Sequence, residues 1–215
     1  MRRILLTGFK RFANLEANPT ERLMEQVAAS PGAFAGAEVH PAVLDVDYVR
    51  CEEQFARAVE EVRPDAVISF GVYLGADDLR LERIAVNLDD AKIPDTGGLQ
   101  RSGQRIVGDG PVGYWSTLPL EAMQRALQEA GVAAVLSSHA GTYLCNHIFY
   151  YGRHWFETRG LAVPVGFVHV PPLPEGLPPG EKRQQGMALE TLLEAAHICV
   201  TVVAGYLRNS MRRAT

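Results

Sequence analysis

Short apolar runs alternate along this chain with segments whose apolar residues recur at helical spacing, and that alternation limits the fold more than any other feature. Arg3 to Thr7 reads as a buried strand ending in a turn over Gly8 to Ala17. Asn18-Pro19-Thr20-Glu21 then supplies an N-cap, a proline at the first helical position and a glutamate at the third, so a helix should run to about Ala29. Strands are expected over Glu38 to Val46, Asp65 to Phe70, Leu79 to Leu88, Val132 to Ser137 and Val163 to Val170. Helices are expected over Tyr48 to Val62, Leu120 to Ala130, Leu144 to Thr158 and, after a proline-rich loop from Pro171 to Gly180, Glu181 to Leu207.

Ile93 to Leu118 is rich in Gly, Pro and polar residues and keeps no period; a loop or hairpin excursion of that length is more often functional than idle. No repeat, low-complexity tract or linker divides the chain. The expectation is one α/β domain over residues 1–215, with a mostly parallel sheet covered by helices on both faces.

A chain of 215 residues can enclose a full core. Its net charge of −4 offers no footprint for nucleic acid or an anionic membrane, and the pair Arg212-Arg213 reads as a solvated tail. The apolar run after Arg2-Arg3 is too short for a signal peptide, and no apolar stretch reaches the ~18 residues of a membrane span. Cys51, Cys145 and Cys199 are far apart and lack CxxC spacing, which argues against a disulfide framework or a zinc site; the expected compartment is a reducing cytoplasm.

Cys145 differs from the other two. It follows the apolar run 132–137 and the turn at Gly141, where a helical pattern begins. A thiol there faces the unpaired N–H groups and dipole of a helix start, which favour the nucleophilic thiolate. Cys51 and Cys199 read as small buried apolar residues. The thiol needs a base. His147 lies two residues along the same helix, about 200° around its axis, and His154 also faces away. His40 and His197 fall inside regular elements and read as structural.

His169 ends a strand just before the proline-rich loop, and His139 precedes the glycine turn, so both reach the strand edge where ligands bind in open α/β sheets. Spacing leaves the choice between them open. A carboxylate should orient the imidazole. In the strand 79–88, Arg80, Glu82 and Ile84 share a face; Glu82 either serves that role or forms an ion pair with Arg80 or Arg83.

The stretch Ala140-Gly141-Thr142-Tyr143-Leu144-Cys145-Asn146 resembles the cysteine signature of the pyroglutamyl peptidases I, also called pyrrolidone carboxyl peptidases. Thr7-Gly8-Phe9 with Phe12, and Asn18-Pro19-Thr20, resemble that family's TGFxxF and NPS elements. Glu82-Arg83-Ile84-Ala85-Val86-Asn87 resembles its ERxAxN strand, and Ile93-Pro94-Asp95 the PD turn after it. Asp109-Gly110-Pro111 with Ser116-Thr117-Leu118-Pro119 matches a further segment, and Gly166-Phe167-Val168-His169-Val170-Pro171 resembles GFxHxP. Together, in order, they cover nearly the whole chain.

The resemblance implies a single-domain α/β/α sandwich with a mostly parallel, mixed sheet, often assembled as a homotetramer. It implies removal of an amino-terminal pyroglutamyl residue from peptides, with no metal or organic cofactor. It places the nucleophile on Cys145, the general base and later acid on His169, and the orienting carboxylate on Glu82. Phe9, Phe12, Asn18, Lys92, Tyr143 and Leu144 fall on positions near the substrate. Pyroglutamate is a neutral lactam, so flat apolar walls and a few hydrogen bonds suffice for its pocket; plain core packing is the other reading of Phe9 and Phe12.

Departures accompany the match. Lys92 stands where relatives carry an arginine thought to assist near the oxyanion, and lysine loses the planar fork. Val72 replaces a glutamine, His139 a small polar residue, and Val72-Tyr73-Leu74-Gly75-Ala76 lacks most of a glycine-rich tract. These imply a rate and affinity that differ from the family norm. The alternatives are another hydrolase or a phosphorylase on a similar sandwich, or a weakly active binding relative. The first lacks a glycine-rich phosphate loop here, and the second should have lost one of the three residues.

Overall fold

A computed structural model describes residues 1–12, 17–34, 36–176 and 186–212. Residues 13–16 of the expected turn, the end of the expected proline-rich loop at 177–180, the expected start of the last helix at 181–185 and Arg213 lie outside the described residues. Five strands and helices open the chain: β1 (Arg2–Phe9), α1 (Pro19–Ala29), β2 (Ala37–Leu44), α2 (Tyr48–Val62) and β3 (Ala66–Val72). Then come β4 (Leu79–Val86), β5 (Gly113–Trp115), α3 (Leu120–Glu129), β6 (Ala134–His139), α4 (Leu144–Thr158), β7 (Val165–Val170) and α5 (Leu189–Arg212).

The helix starts follow local chemistry. The Asn18 side chain accepts from the Thr20 amide at 3.0 Å and so caps α1. Asp47 caps α2 through the amides of Val49 and Arg50. Tyr48, Cys51, Phe55 and Val59 recur on one stripe of α2 and are buried.

The described strands form one mixed sheet in the order β2-β1-β3-β7-β4, with β5 and β6 also paired to β4. β1, β2, β3 and β7 run parallel, whereas β4 runs antiparallel to β7. β6 pairs parallel to β4, through Glu82↔Ser137 and Ile84↔His139.

Two apolar cores cover the two faces. Ile4, Leu6, Ile68 and Val168 point toward α1, α3 and α5. Leu5, Phe9, Val67 and Phe167 point toward α2 and α4. Central strands buried on both sides explain why they read as unbroken apolar runs. The layers are those of a three-layer α/β/α sandwich.

Some expected bounds shift for physical reasons. β6 starts at Ala134, because Gly131 adopts φ +79° and the Val132 amide bonds back to the Leu127 carbonyl, closing α3. The strand runs on to His139 itself. α5 is described from Leu189, because residues 186–188 are not helical: Gly186 has φ +68°, and the Met187 amide bonds the Pro172 carbonyl. The stretch 93–118 contains β5 and is otherwise a pinned loop. Asp95 accepts from the amides of Tyr48, Gly97 and Leu99, and the Thr96 amide reaches the Val46 carbonyl.

One expectation fails outright. Leu189–Ser210 is long and apolar enough to cross a membrane, by length and composition. Scattered Thr, His and Gly break the apolar run without lowering the average much. Leu192, Ala195, Ala196, Cys199, Val200, Val203 and Ala204 are buried against the sheet, so α5 is a core helix.

Candidate active site

The tight turn between β6 and α4 is made at Gly141, whose φ of +77° lies in the left-handed region. Two residues on, Tyr143 occupies the N-cap position of α4 without a side-chain cap. The first-turn N–H groups of Leu144 and Cys145 are therefore left for a ligand at the pocket that both residues line. Asn146 fixes this helix start. Its side chain donates to the Val86 and Leu88 carbonyls at 2.9 and 3.0 Å and accepts from the Val86 amide at 2.9 Å.

The Cys145 sulfur lies over Gly71, the penultimate residue of β3, and beside the Phe167 ring. Across β3, Gly71 pairs with His169 in β7. The His169 ring bonds Glu82 Oε1 through Nδ1 at 2.7 Å. With Nδ1 engaged, Nε2 is the nitrogen left for the sulfur, and the two side chains are hydrogen-bonded. Glu82 is 1% and His169 5% exposed, whereas Cys145 is partly open.

Burial by itself lowers the His169 pKa, but the charge of Cys145, its hydrogen bond, and the Glu82 carboxylate push it up to about 9. That rise favours the charged form of the ring, which is held between sulfur and carboxylate. Burial has the opposite consequence for the other thiols: it raises Cys51 well above the ordinary value and Cys199 to about 12.

A cavity of about 860 Å³ opens over this group, and every residue expected at the site lines it. Phe9 and Leu144 are nearly enclosed at 3% and 1% exposure, so they offer an edge rather than a face. Phe12 and Tyr143 stand as a half-buried aromatic pair, ring centroids 6.4 Å apart. Lys92 is exposed at the rim. Asn18 borders the cavity, yet its carbonyl accepts from Thr20 and its amide donates to the Lys10 carbonyl at 3.0 Å. Its polar atoms mainly shape the turn carrying Phe9 and Phe12.

The two candidate histidines differ in their surroundings. His139 lines the cavity, but its Nδ1 accepts from the Gly141 amide at 3.1 Å, within its own turn. His169 alone of the two has the thiol and a carboxylate on either side. Arg80 approaches Asp78 at 3.5 Å, so it does not take Glu82 as its partner.

Two features escaped sequence reasoning. Gly71 was readable only as the end of a strand. His147, correctly placed away from the thiol, is fully buried between Asp89 at 2.9 Å and Glu52 at 2.8 Å. Arg101 bonds the same Asp89 oxygen at 2.8 Å. This cluster fastens the loop bearing Lys92 to α4 and α2. Among the described residues no group of His, Cys, Asp and Glu is arranged to hold a metal ion.

A thiol at a helix start, backed by an imidazole and a buried carboxylate on an α/β/α sandwich, defines a cysteine-dependent hydrolase. The pyroglutamyl peptidase family profile matches residues 2–206. The pyrrolidone-carboxylate peptidase of Vibrio vulnificus is 40% identical over 193 residues, covering 90% of this chain and 88% of its own. The solved pyrrolidone carboxyl peptidase of Thermococcus litoralis superimposes with TM-score 0.93 at 34% identity, covering 98% of this chain and 96% of that one. Pyroglutamyl peptidase I of Bacillus amyloliquefaciens gives TM-score 0.90 at 28% identity over 96% and 98% of the two chains. The chain belongs to the pyroglutamyl peptidase family. It is a cysteine peptidase and a hydrolase.

Proposed function

We propose that the chain releases amino-terminal pyroglutamyl residues from peptides by acyl transfer, with Cys145 as nucleophile, His169 as acid and base, and Glu82 as the carboxylate that orients it. The carrying observation is the continuous contact from sulfur through imidazole to a carboxylate 2.7 Å away, at the floor of an aromatic-walled cavity.

The thiolate of Cys145 attacks the pyroglutamyl carbonyl carbon. The first-turn amides of α4 receive the developing oxyanion, at about 3 kcal/mol per well-placed donor. The C–N bond then breaks as the His169 imidazolium passes its proton to the leaving amine, and a thioester remains on Cys145. Neutral His169 takes a proton from water, whose oxygen adds to the thioester; collapse expels the thiolate and frees pyroglutamate. Glu82 keeps Nδ1 protonated and stabilises each imidazolium state.

Phe9, Phe12, Tyr143 and Leu144 form the wall that receives the lactam ring, Asn18 sets the turn carrying two of them, and Lys92 stands at the rim as a cation. The neutral wall suits a substrate without a free α-amino group. The reading extends to a homotetramer in a reducing, cytoplasmic setting, which suits a chain whose three cysteines are all free. Light scattering on the eluting species tests the assembly.

The deciding experiment is hydrolysis of a pyroglutamyl chromogenic amide beside its prolyl and free glutamyl analogues. Only the pyroglutamyl compound should be cleaved, and Cys145→Ala should abolish cleavage. Turnover by Cys145→Ala at the wild-type rate would remove the sulfur from the mechanism.

A further inference from the structure

The cavity is larger than the acyl group requires. A pyroglutamyl acyl group has about eight non-hydrogen atoms, and even at the roughly 30 Å³ that one water takes in the liquid they displace under about 250 Å³. Some 860 Å³ is present. The strand order assigns the surplus. Phe9, on β1, lies on one side of β3 and the sulfur; β7 and β4 lie on the other. Tyr73 follows β3 directly, and its amide bonds the Val170 carbonyl at 2.9 Å, so it belongs to that second side.

Tyr73 and Leu74 are held in a fixed ledge. The Ala76 amide closes a turn onto the Tyr73 carbonyl at 3.0 Å. The Tyr73 ring lies 5.8 Å from the His169 ring, with the Arg80 guanidinium 4.9 Å from its centroid. Asp78 meets the Arg80 charge at 3.5 Å. The ledge therefore offers contact area rather than a counter-charge. Despite this order, Tyr73 remains 46% and Leu74 48% exposed, both on the cavity. Large apolar side chains held open beside a reacting group mark a binding surface.

We propose that Tyr73 and Leu74 form the subsite for the residue that follows pyroglutamate, and that it selects an apolar or aromatic side chain there. This rests on the proposed peptidase reaction and adds its leaving-group specificity. The leaving amine must lie at His169 to take its proton, so the side chain of that residue is delivered next to the Tyr73 ring. Because the ledge is preordered, little conformational freedom is lost when the side chain docks.

The test is kcat/KM for pyroglutamyl dipeptide amides carrying Phe, Leu, Gly, Asp or Lys in second place. Wild type should favour Phe and Leu over Gly by roughly tenfold or more, with Asp and Lys no better than Gly. The readout in each variant is its own Phe-to-Gly ratio, whatever its absolute rate. Tyr73→Ala and Leu74→Ser should bring that ratio below about threefold, and Tyr73→Phe should restore it, since the ring face is what makes contact. A wild type indifferent to the second residue overturns the subsite, as does an unchanged ratio in both truncations. An equal loss on every substrate also overturns it, because it would show the ring serving only to orient His169. Failure of the peptidase reading looks different: wild type would then cleave none of the series.

Discussion

A β-carbon on Gly71 would lie 2.7 Å from the sulfur of Cys145, closer than such atoms approach. The Phe167 ring meets it at the same distance. The Phe167 ring is fully buried whereas the thiol is partly open, so a methyl group at this position must displace the thiol. Gly71→Ala should lower kcat/KM about a hundredfold, the scale of a 1 Å misplacement at a reacting atom. Far-UV circular dichroism should stay that of the wild type. Normal turnover in the alanine variant would mean that the sulfur has another place from which to react.

Reactivity should separate the three cysteines. Burial favours the thiol form of Cys51 and Cys199, while Cys145 stands partly open beside the His169 ring. Iodoacetamide at pH 7 should add one carbamidomethyl group to the folded protein, on Cys145, in step with inactivation. Intact-mass analysis and peptide mapping check this. Labelling of Cys51 or Cys199 before activity is lost would contradict it.

The pH profile should carry the signature of His169. With its pKa raised to about 9, the imidazolium survives through neutral pH, and kcat/KM should fall on an alkaline limb near pH 9. Part of that rise comes from Glu82, so Glu82→Gln should move the limb toward lower pH and reduce kcat by about 10²- to 10⁴-fold. A limb that stays in place would mean that the carboxylate does not act through the ring.

His147 predicts an effect on stability. Burial lowers its pKa, but hydrogen bonds and charge from Asp89 and Glu52 outweigh that and leave it raised. The stabilisation is then fully present below the unfolded value of about 6.5 and is lost as pH rises through the folded value. His169 contributes with the same sign, so the informative quantity is the difference between wild type and His147→Asn. Removing this partner should cost about 3 kcal/mol or more near pH 6, and the gap should narrow toward pH 10. Urea midpoints across that range check it; a gap independent of pH would show that packing alone matters.

The site was legible in the sequence where its signals are local. The cap of α1, the extent of α2, the glycine turn before Cys145 and the extent of α4 follow from neighbouring residues, and the structure reproduces them. The direction of β4 has no such local signal, since an apolar alternation reads the same for either orientation. The partners of His147 stand 58 and 95 residues away along the chain. Helical angle could say where that ring does not point, but not what awaits it. His139 and His169 looked alike for the same reason, because only the pairing of β4 with β7 brings Glu82 to one of them.

That reversed strand also constrains how the gene can change. Glu82 reaches the imidazole from a strand running against β7, through the pairs Arg80↔His169 and Glu82↔Phe167. Side chains alternate between faces, so a one-codon change before Glu82 within β4 would turn the carboxylate toward α1, α3 and α5; a loss would put Arg83 beside His169, and a codon gained before Leu81 would put Leu81 there. Point substitutions in β4 can be graded in their effects. A shift of frame along this strand would act as an all-or-none event, costing the carboxylate and burying an unpaired charge at a single stroke.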